Sequence, residues 1–285
     1  VAGSFPFDEL EICRLVEMTA VNSATANPPV RRRAAGKPLL PPLVARLLFL
    51  VFAIGIWEVA SRYGWINAFT APAPSAIWAG LIQIIVAGEL GAAFVRTFLE
   101  ALAASAIGAT GGIAIGWWLH SSKKIGLAYT SWVAAAASAP LVLLYPLFLV
   151  IFGRNSSTIV AMGALGCMPP IILKAKDGLD GVRPVLLNVG RAFSLTPRQQ
   201  FTMIQFPAAL PVIFTGIRIG LLFAIINVVG VEFLIAFGGL GELISDLGDR
   251  FDYPAMYAAI FFVVLVSIAF FYLTEKLEIW LLSSK

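Results

Sequence analysis

Charge is scarce in this chain: 13% of its 285 residues are Asp, Glu, Lys or Arg, against roughly 25% in soluble domains. That scarcity excludes an all-round solvated surface. Cysteine is almost absent. Cys13 and Cys167 stand far apart, which rules out a disulfide framework and a C-x-x-C metal site and leaves two inert thiols. The single histidine, His120, has no ligand-spaced carboxylate or thiol beside it and reads as a solvated turn residue. No G-x-x-x-x-G-K-[ST], G-x-S-x-G or H-E-x-x-H pattern occurs. The chain therefore lacks a phosphate-binding loop and the usual hydrolase signatures, and no intrinsic enzyme activity and no bound metal are expected. The first 37 residues lack a continuous apolar core, so they do not form a cleaved signal peptide. Residues 1–40 read as a cytoplasmic tail, with translation expected to start at Met18.

What the chain has instead is apolar length. Hydrophobic residues make up 59% of it, the mean hydropathy is +0.89, and several runs reach the roughly 20 residues that cross a bilayer as a helix. An all-α membrane domain over residues 41–285 follows, with about six spans: Leu43 to Ala60, Ala93 to Leu119, a third run ending at Phe152, Thr158 to Leu173, Leu210 to Phe237 and Ala255 to Trp280. Ser75 to Ala87 is too short to span and is placed on the outer surface. Ala139-Pro140 and Tyr145-Pro146 should kink or break the third run, because proline removes backbone donors. The fourth should end near Pro169-Pro170, and Gly238 to Asp252 reads as a Gly-rich acidic loop. In the second span Ala104, Gly108, Gly112 and Gly116 recur every four residues, a small face for close helix packing.

The formal charge of +4 sits in loops between apolar runs, so it is an orientation signal and no nucleic-acid surface. Basic residues gather in the tail, at Lys123-Lys124, in the loop 174–209 and at Lys276 and Lys285, which places both termini and that loop in the cytoplasm. The loop carries helix punctuation. Pro184 suits a first helical position, and Thr196-Pro197-Arg198-Gln199 reads as an N-cap, a proline at N1 and a capping-box glutamine. Two short helices joined near Ser194 to Thr196 are predicted, with Pro207 and Pro211 limiting continuation into the fifth span.

This region resembles the cytoplasmic signature of ABC-importer permeases, E-A-A-x3-G-x9-I-x-L-P. Asn188, Val189, Gly190, Ser194, Ile204, Phe206 and Pro207 fill that frame at its spacing, and the run from Phe206 to Arg218 is similar to the family's L-P-A-A-L-P-x-I-x-T-G-[LI]-R. Arg96 to Gly116, Ala139 to Gly153 and Gly230 to Gly241 extend the resemblance to the subgroup importing nitrate, sulfonates and taurine, over Leu43 to Trp280 in all. The resemblance implies a type I importer-like fold in a bacterial inner membrane. It also implies a coupling helix that meets a separate ATPase through those residues with Arg191, Thr196, Pro197 and Arg198. ATP and its magnesium would sit on the ATPase, and an extracytoplasmic solute-binding protein would deliver the solute. A second permease copy or a paralogue would complete the path, with lipid as the solvent. Two positions depart from the pattern. Asn188 replaces an acidic residue and Ser194 a glycine, which removes a charge and a permissive turn position.

Glu58, Glu100, Arg218 and Glu232 fall in or near apolar runs, where charge is expensive and faces a partner or an aqueous path. Glu58 reads as structural. Arg218 and Glu232 are candidates for the translocation path, structural pairing being the other reading of each. The competing class is a secondary, ion-coupled transporter, whose mark would be an inverted repeat. No repeat relates the first three spans to the last three. Among the subgroup's solutes an anion is the expectation.

Overall fold

A computed structural model describes residues 41–67 and 69–283. Cys13, Met18 and the tail expected to be cytoplasmic lie outside them. The described residues contain helices and no strand: α1 (Pro42–Arg62), α2 (Pro74–Val86), α3 (Glu89–Ser121), α4 (Lys123–Ser138), a 3-10 turn (Leu141–Leu144), α5 (Tyr145–Phe152), α6 (Ser156–Asp180), α7 (Pro184–Ala192), α8 (Pro197–Gln200), a π-helical turn (Phe201–Gln205), α9 (Phe206–Ile235), α10 (Gly239–Asp249) and α11 (Tyr253–Ser283). Five helices are long and apolar enough to cross a membrane, and α4 with α5 makes a sixth span if that pair, bent by 89°, is counted as one. The all-α, six-span reading is borne out. The chain divides between Gly55 and Ile56 within α1, and all that follows concerns the described residues from Ile56 onward.

At the centre of that unit α6 packs between α3 and α9. Ala101, Ala104, Ile159, Met162, Ile225, Val228 and Val231 form one buried cluster, and Cys167, Ile171 and Ala224 continue it. Small residues set the spacing. A Cβ on Gly108 would overlap Cys167 Sγ, one on Gly112 would stand 2.8 Å from Ile171 Cγ2, and one on Gly116 would stand 2.7 Å from Ala175 Cβ. Close backbone approach of this kind gains dispersion contacts where lipid offers no hydrophobic drive between helices. A second cluster, with Ile77, Ile84, Leu90, Leu240, Leu247 and Ala258, joins α2, α3, α10 and α11.

Four expectations need correction. The fourth span does not end at Pro169-Pro170: α6 runs on to Asp180 with both prolines buried inside it, because a neighbouring helix on each side holds a segment that has lost two donors. The stretch 174–209 holds the two short helices predicted for it, α7 and α8, but its two ends belong to α6 and α9 rather than to a loop. Pro207 and Pro211 do not interrupt the fifth span either: they lie in a helix continuous from Pro197 to Ile235. Phe206 N–H bonds to Phe201 O, five residues back, and widening this turn absorbs the strain that Pro207 would place on an α-turn. Finally, Gly238 to Asp252 is no loop, because α10 forms there and buries Leu240, Leu243 and Leu247.

Candidate functional site

Local chemistry builds the segment from Pro184 to Gln205. Pro184 opens α7, where its missing N–H costs no hydrogen bond. The helix closes in a Schellman turn, with Leu195 N–H bonding to Gly190 O at 3.0 Å and Ser194 N–H to Arg191 O at 2.9 Å. Ser194 holds the left-handed position with φ 52°. Serine thus keeps the conformation that a glycine would take there, at an expected cost of about 1 kcal/mol. Thr196 and Gln199 form the reciprocal capping box: Gln199 N–H donates to Thr196 Oγ1, and Thr196 N–H to Gln199 Oε1 at 3.0 Å. Pro197 follows at the first position, and Thr202 Oγ1 donates to Arg198 O at 3.0 Å.

Tertiary packing then brings the motif residues together. Gly190 is buried, and a Cβ there would stand 2.8 Å from Ile204 Cδ1. Gln200 Nε2 donates to Leu187 O at 3.3 Å, which ties α7 to α8. Phe206 packs on Phe201, whose ring lies 5.7 Å from that of Trp117 on α3. Pro207 sits in the first turn of α9. The outer side is unpartnered: Asn188, Arg191 and Arg198 are exposed, and Arg191 Nη1 donates to Asn188 Oδ1 at 3.4 Å. Val185, Val189 and Phe193, four residues apart, are 62%, 45% and 76% exposed, an apolar stripe along α7.

Arg218 does not meet Glu232. Its guanidinium lies 3.4 Å from Glu278 and 4.0 Å from Glu275, both on α11, and over the Phe271 ring. The acids three residues apart at the end of the last apolar run were the signal that could have located this pair. Glu232 is fully buried at the opposite end of α9. Thr97 Oγ1 lies 2.8 and 2.9 Å from its two oxygens, and Gly241 N–H donates to Oε2 at 2.9 Å. Leu240 N–H donates to Thr97 Oγ1 at 2.7 Å. Glu232 and Thr97 thus cap α10 from two other helices, in place of a local cap residue. A Cβ on Gly239, whose φ is +85°, would strike Glu232 Oε1 at 2.2 Å. Arg96 flanks the cluster, 3.3 Å from Glu100 and stacked over Phe237.

Of two polar residues, one differs from the sequence reading in its surroundings and the other, Glu58, keeps the structural role read for it. His120 is no solvated turn residue, since its Nδ1 lies 2.5 Å from Asp180 Oδ1 on α6. Glu58 accepts from Ser75 N–H at 3.0 Å and from Ser75 Oγ at 2.7 Å, and so caps α2. One residue went unnoticed altogether. Asn227 borders a cavity of about 290 Å³ at the break between α4 and α5, together with Ala139, Pro140, Val142, Gly166 and Gly230. Its Nδ2 donates to Phe223 O at 2.8 Å. The cavity wall carries no ionised side chain. A lone amide in an apolar run was the available signal.

Comparison with known proteins gives one family. A family model described as "Binding-protein-dependent transport system inner membrane component" matches residues 108–281. The putative aliphatic sulfonates transport permease protein SsuC of Bacillus subtilis is 30% identical over 200 residues, 70% of this chain and 72% of that one. The formylaminopyrimidine transport permease protein ThiX of Halalkalibacterium halodurans is 30% identical over 81% of this chain and 92% of its own length. The nitrate import permease protein NrtB of Synechococcus elongatus is 26% identical over 90% and 96%. Among solved structures, an inward-facing form of the MetNI methionine ABC transporter superposes with a TM-score of 0.60 at 18% identity, covering 68% of this chain and 96% of that one.

Proposed function

The chain belongs to the family of binding-protein-dependent transport system inner membrane components, and on that premise we propose that α7 and α8 receive the ATPase while a small organic solute passes the break between α4 and α5. As a family member it is the transmembrane permease subunit of an ATP-binding cassette importer with a type I fold, and a separate subunit hydrolyses ATP. ATP and magnesium belong on that partner. The single observation that carries the docking reading is the exposed stripe Val185, Val189 and Phe193 on a helix otherwise fixed by caps. Exposed apolar side chains on a rigid element suit a partner groove.

Closure of the ATPase would push on α7 and α8. Because the helix from Pro197 to Ile235 is continuous, the push travels along α9, about 32 Å from Phe206 to Asn227 at 1.5 Å per residue. Asn227 then moves against the cavity wall on α6, where Gly166 faces it. The coupling end lies in the cytoplasm with both termini, by the distribution of basic residues. A second copy of the permease supplies the other wall, as closed two-fold pairing is the common arrangement. Arg218, held by Glu275 and Glu278, keeps α9 and α11 together at the coupling end, and Glu232 anchors α10 at the outer end, where the solute-binding protein docks.

The cavity beside Asn227 offers one amide and apolar walls without a counter-charge. The apolar walls support a solute with an apolar part beside its hydrogen-bonding head, as in the aliphatic sulfonates and formylaminopyrimidine named for the relatives, over a bare inorganic anion such as nitrate, which has no apolar part to place there. The test uses the complete complex in nanodiscs with its solute-binding protein. Phe193→Asp should reduce co-purified ATPase at least tenfold with an unchanged unfolding temperature, and an alkyl sulfonate or an aminopyrimidine should stimulate ATP hydrolysis in the parent complex. Full ATPase capture by the variant overturns the docking surface. Stimulation by nitrate alone overturns the solute class.

A further inference from the structure

At the end of the bundle that carries α7, helices α3, α4 and α6 leave a cavity of about 340 Å³, separate from the one at the α4–α5 break. His120, Lys123 and Lys176 line it with one carboxylate, Asp180. Each oxygen of Asp180 is bonded, one to Lys176 Nζ at 2.7 Å and the other to His120 Nδ1 at 2.5 Å. An ammonium has three donors, so Lys176 retains two. Lys123 forms no ion pair with any described residue. It is also the first residue of α4, and Ser122 before it makes no side-chain cap. The positive end of the α4 dipole and its uncapped N–H groups therefore lie at the same place.

This cationic hollow continues into an apolar surface. Leu127, one turn along α4 from Lys123 and itself in the cavity wall, is 83% exposed. A soluble phosphate would use only the cationic part. A molecule with a phosphodiester beside a hydrocarbon chain would use both, and basic pockets between transmembrane helices recognise such heads.

We propose that this cavity binds the phosphodiester head of an anionic phospholipid through Lys123 and Lys176, with an acyl chain along the exposed face of α4. The importer complex is reconstituted in nanodiscs of equal phosphatidylglycerol and phosphatidylethanolamine, and the lipid retained after mild extraction is counted by native mass spectrometry. Phosphatidylglycerol is expected to be enriched. Each lysine replaced by glutamine should weaken its retention about fivefold, so that K123Q/K176Q shows roughly a 25-fold loss, whereas K124Q, at a lysine outside the cavity, shows none. K123Q breaks no ion pair and gives the single-site result should the double variant fail to assemble. Equal retention of the two lipids, an equal loss in K124Q, or unchanged binding in K123Q overturns the proposal. Displacement of the lipid by millimolar inorganic phosphate assigns the site to a soluble anion and overturns the lipid source.

Discussion

The two ends of this helix bundle are held together by opposite means. At the coupling end, α7 and α8 are secured by bonds between near neighbours: the Schellman turn over Gly190 to Leu195 and the capping box of Thr196 and Gln199. Their outer side shows Val185, Val189 and Phe193 to the surroundings. At the other end, Thr97 and Glu232 stand 135 residues apart, Thr97 and Leu240 stand 143 apart, and their bonds are buried. The first region can shift as a body without breaking its own hydrogen bonds. The second cannot open without stranding buried polar groups. Under the proposed coupling role, force would enter the bundle at the end built of local bonds, while the buried bonds hold α10 to α3 and α9 at the other.

The largest effect expected from breaking this contrast is at Glu232. Glu232→Ala leaves Gly241 N–H and the Thr97 hydroxyl without their acceptor in a buried site, and should cost about 3 kcal/mol of stability. Thermal unfolding of the detergent-solubilised protein reads this, and a variant within about 0.5 kcal/mol of the parent would remove the distinction between the two ends. Next comes Gly190→Val, whose Cβ would press on Ile204 Cδ1 from 2.8 Å. The flexible end of an isoleucine can yield, so about 1–2 kcal/mol is expected, together with faster hydrogen exchange in α7. The smallest effect has the reverse sign. Ser194→Gly relieves the left-handed conformation and should stabilise the coupling segment by about 1 kcal/mol, seen as slower exchange of the Leu195 amide with little change in global unfolding.

The coupling end was legible because its determinants are local. Pro184, Thr196, Pro197 and Gln199 act over three or four residues, so they could be found without knowing what packs on them. The break at Pro140 was legible for the same reason. Pro169, Pro170, Pro207 and Pro211 misled, because the same local rule that ends a helix was overridden by packing of α6 between α3 and α9 and by the π-helical turn before Phe206. The acidic, Gly-rich stretch at Gly238 looked like a loop because the groups that cap α10, Glu232 and Thr97, are contributed by α9 and α3. Arg218 was recognised as costly in an apolar run, but its partners on α11 lie nearly sixty residues away. Asn227 gained meaning only when the 89° bend of α4 against α5 left a cavity beside it.

Composition and apolar run length, by themselves, determined that this protein lives in a membrane as a helical bundle, since about 20 apolar residues leave little other arrangement for a backbone without water. Short-range capping chemistry determined where the short helices α7 and α8 begin and end. Only the tertiary structure decided which prolines a helix could carry through, which carboxylate holds α10, and which side of α7 is left exposed. Those outcomes depend on side chains from distant parts of the chain meeting in one place, and no local pattern encodes such a meeting.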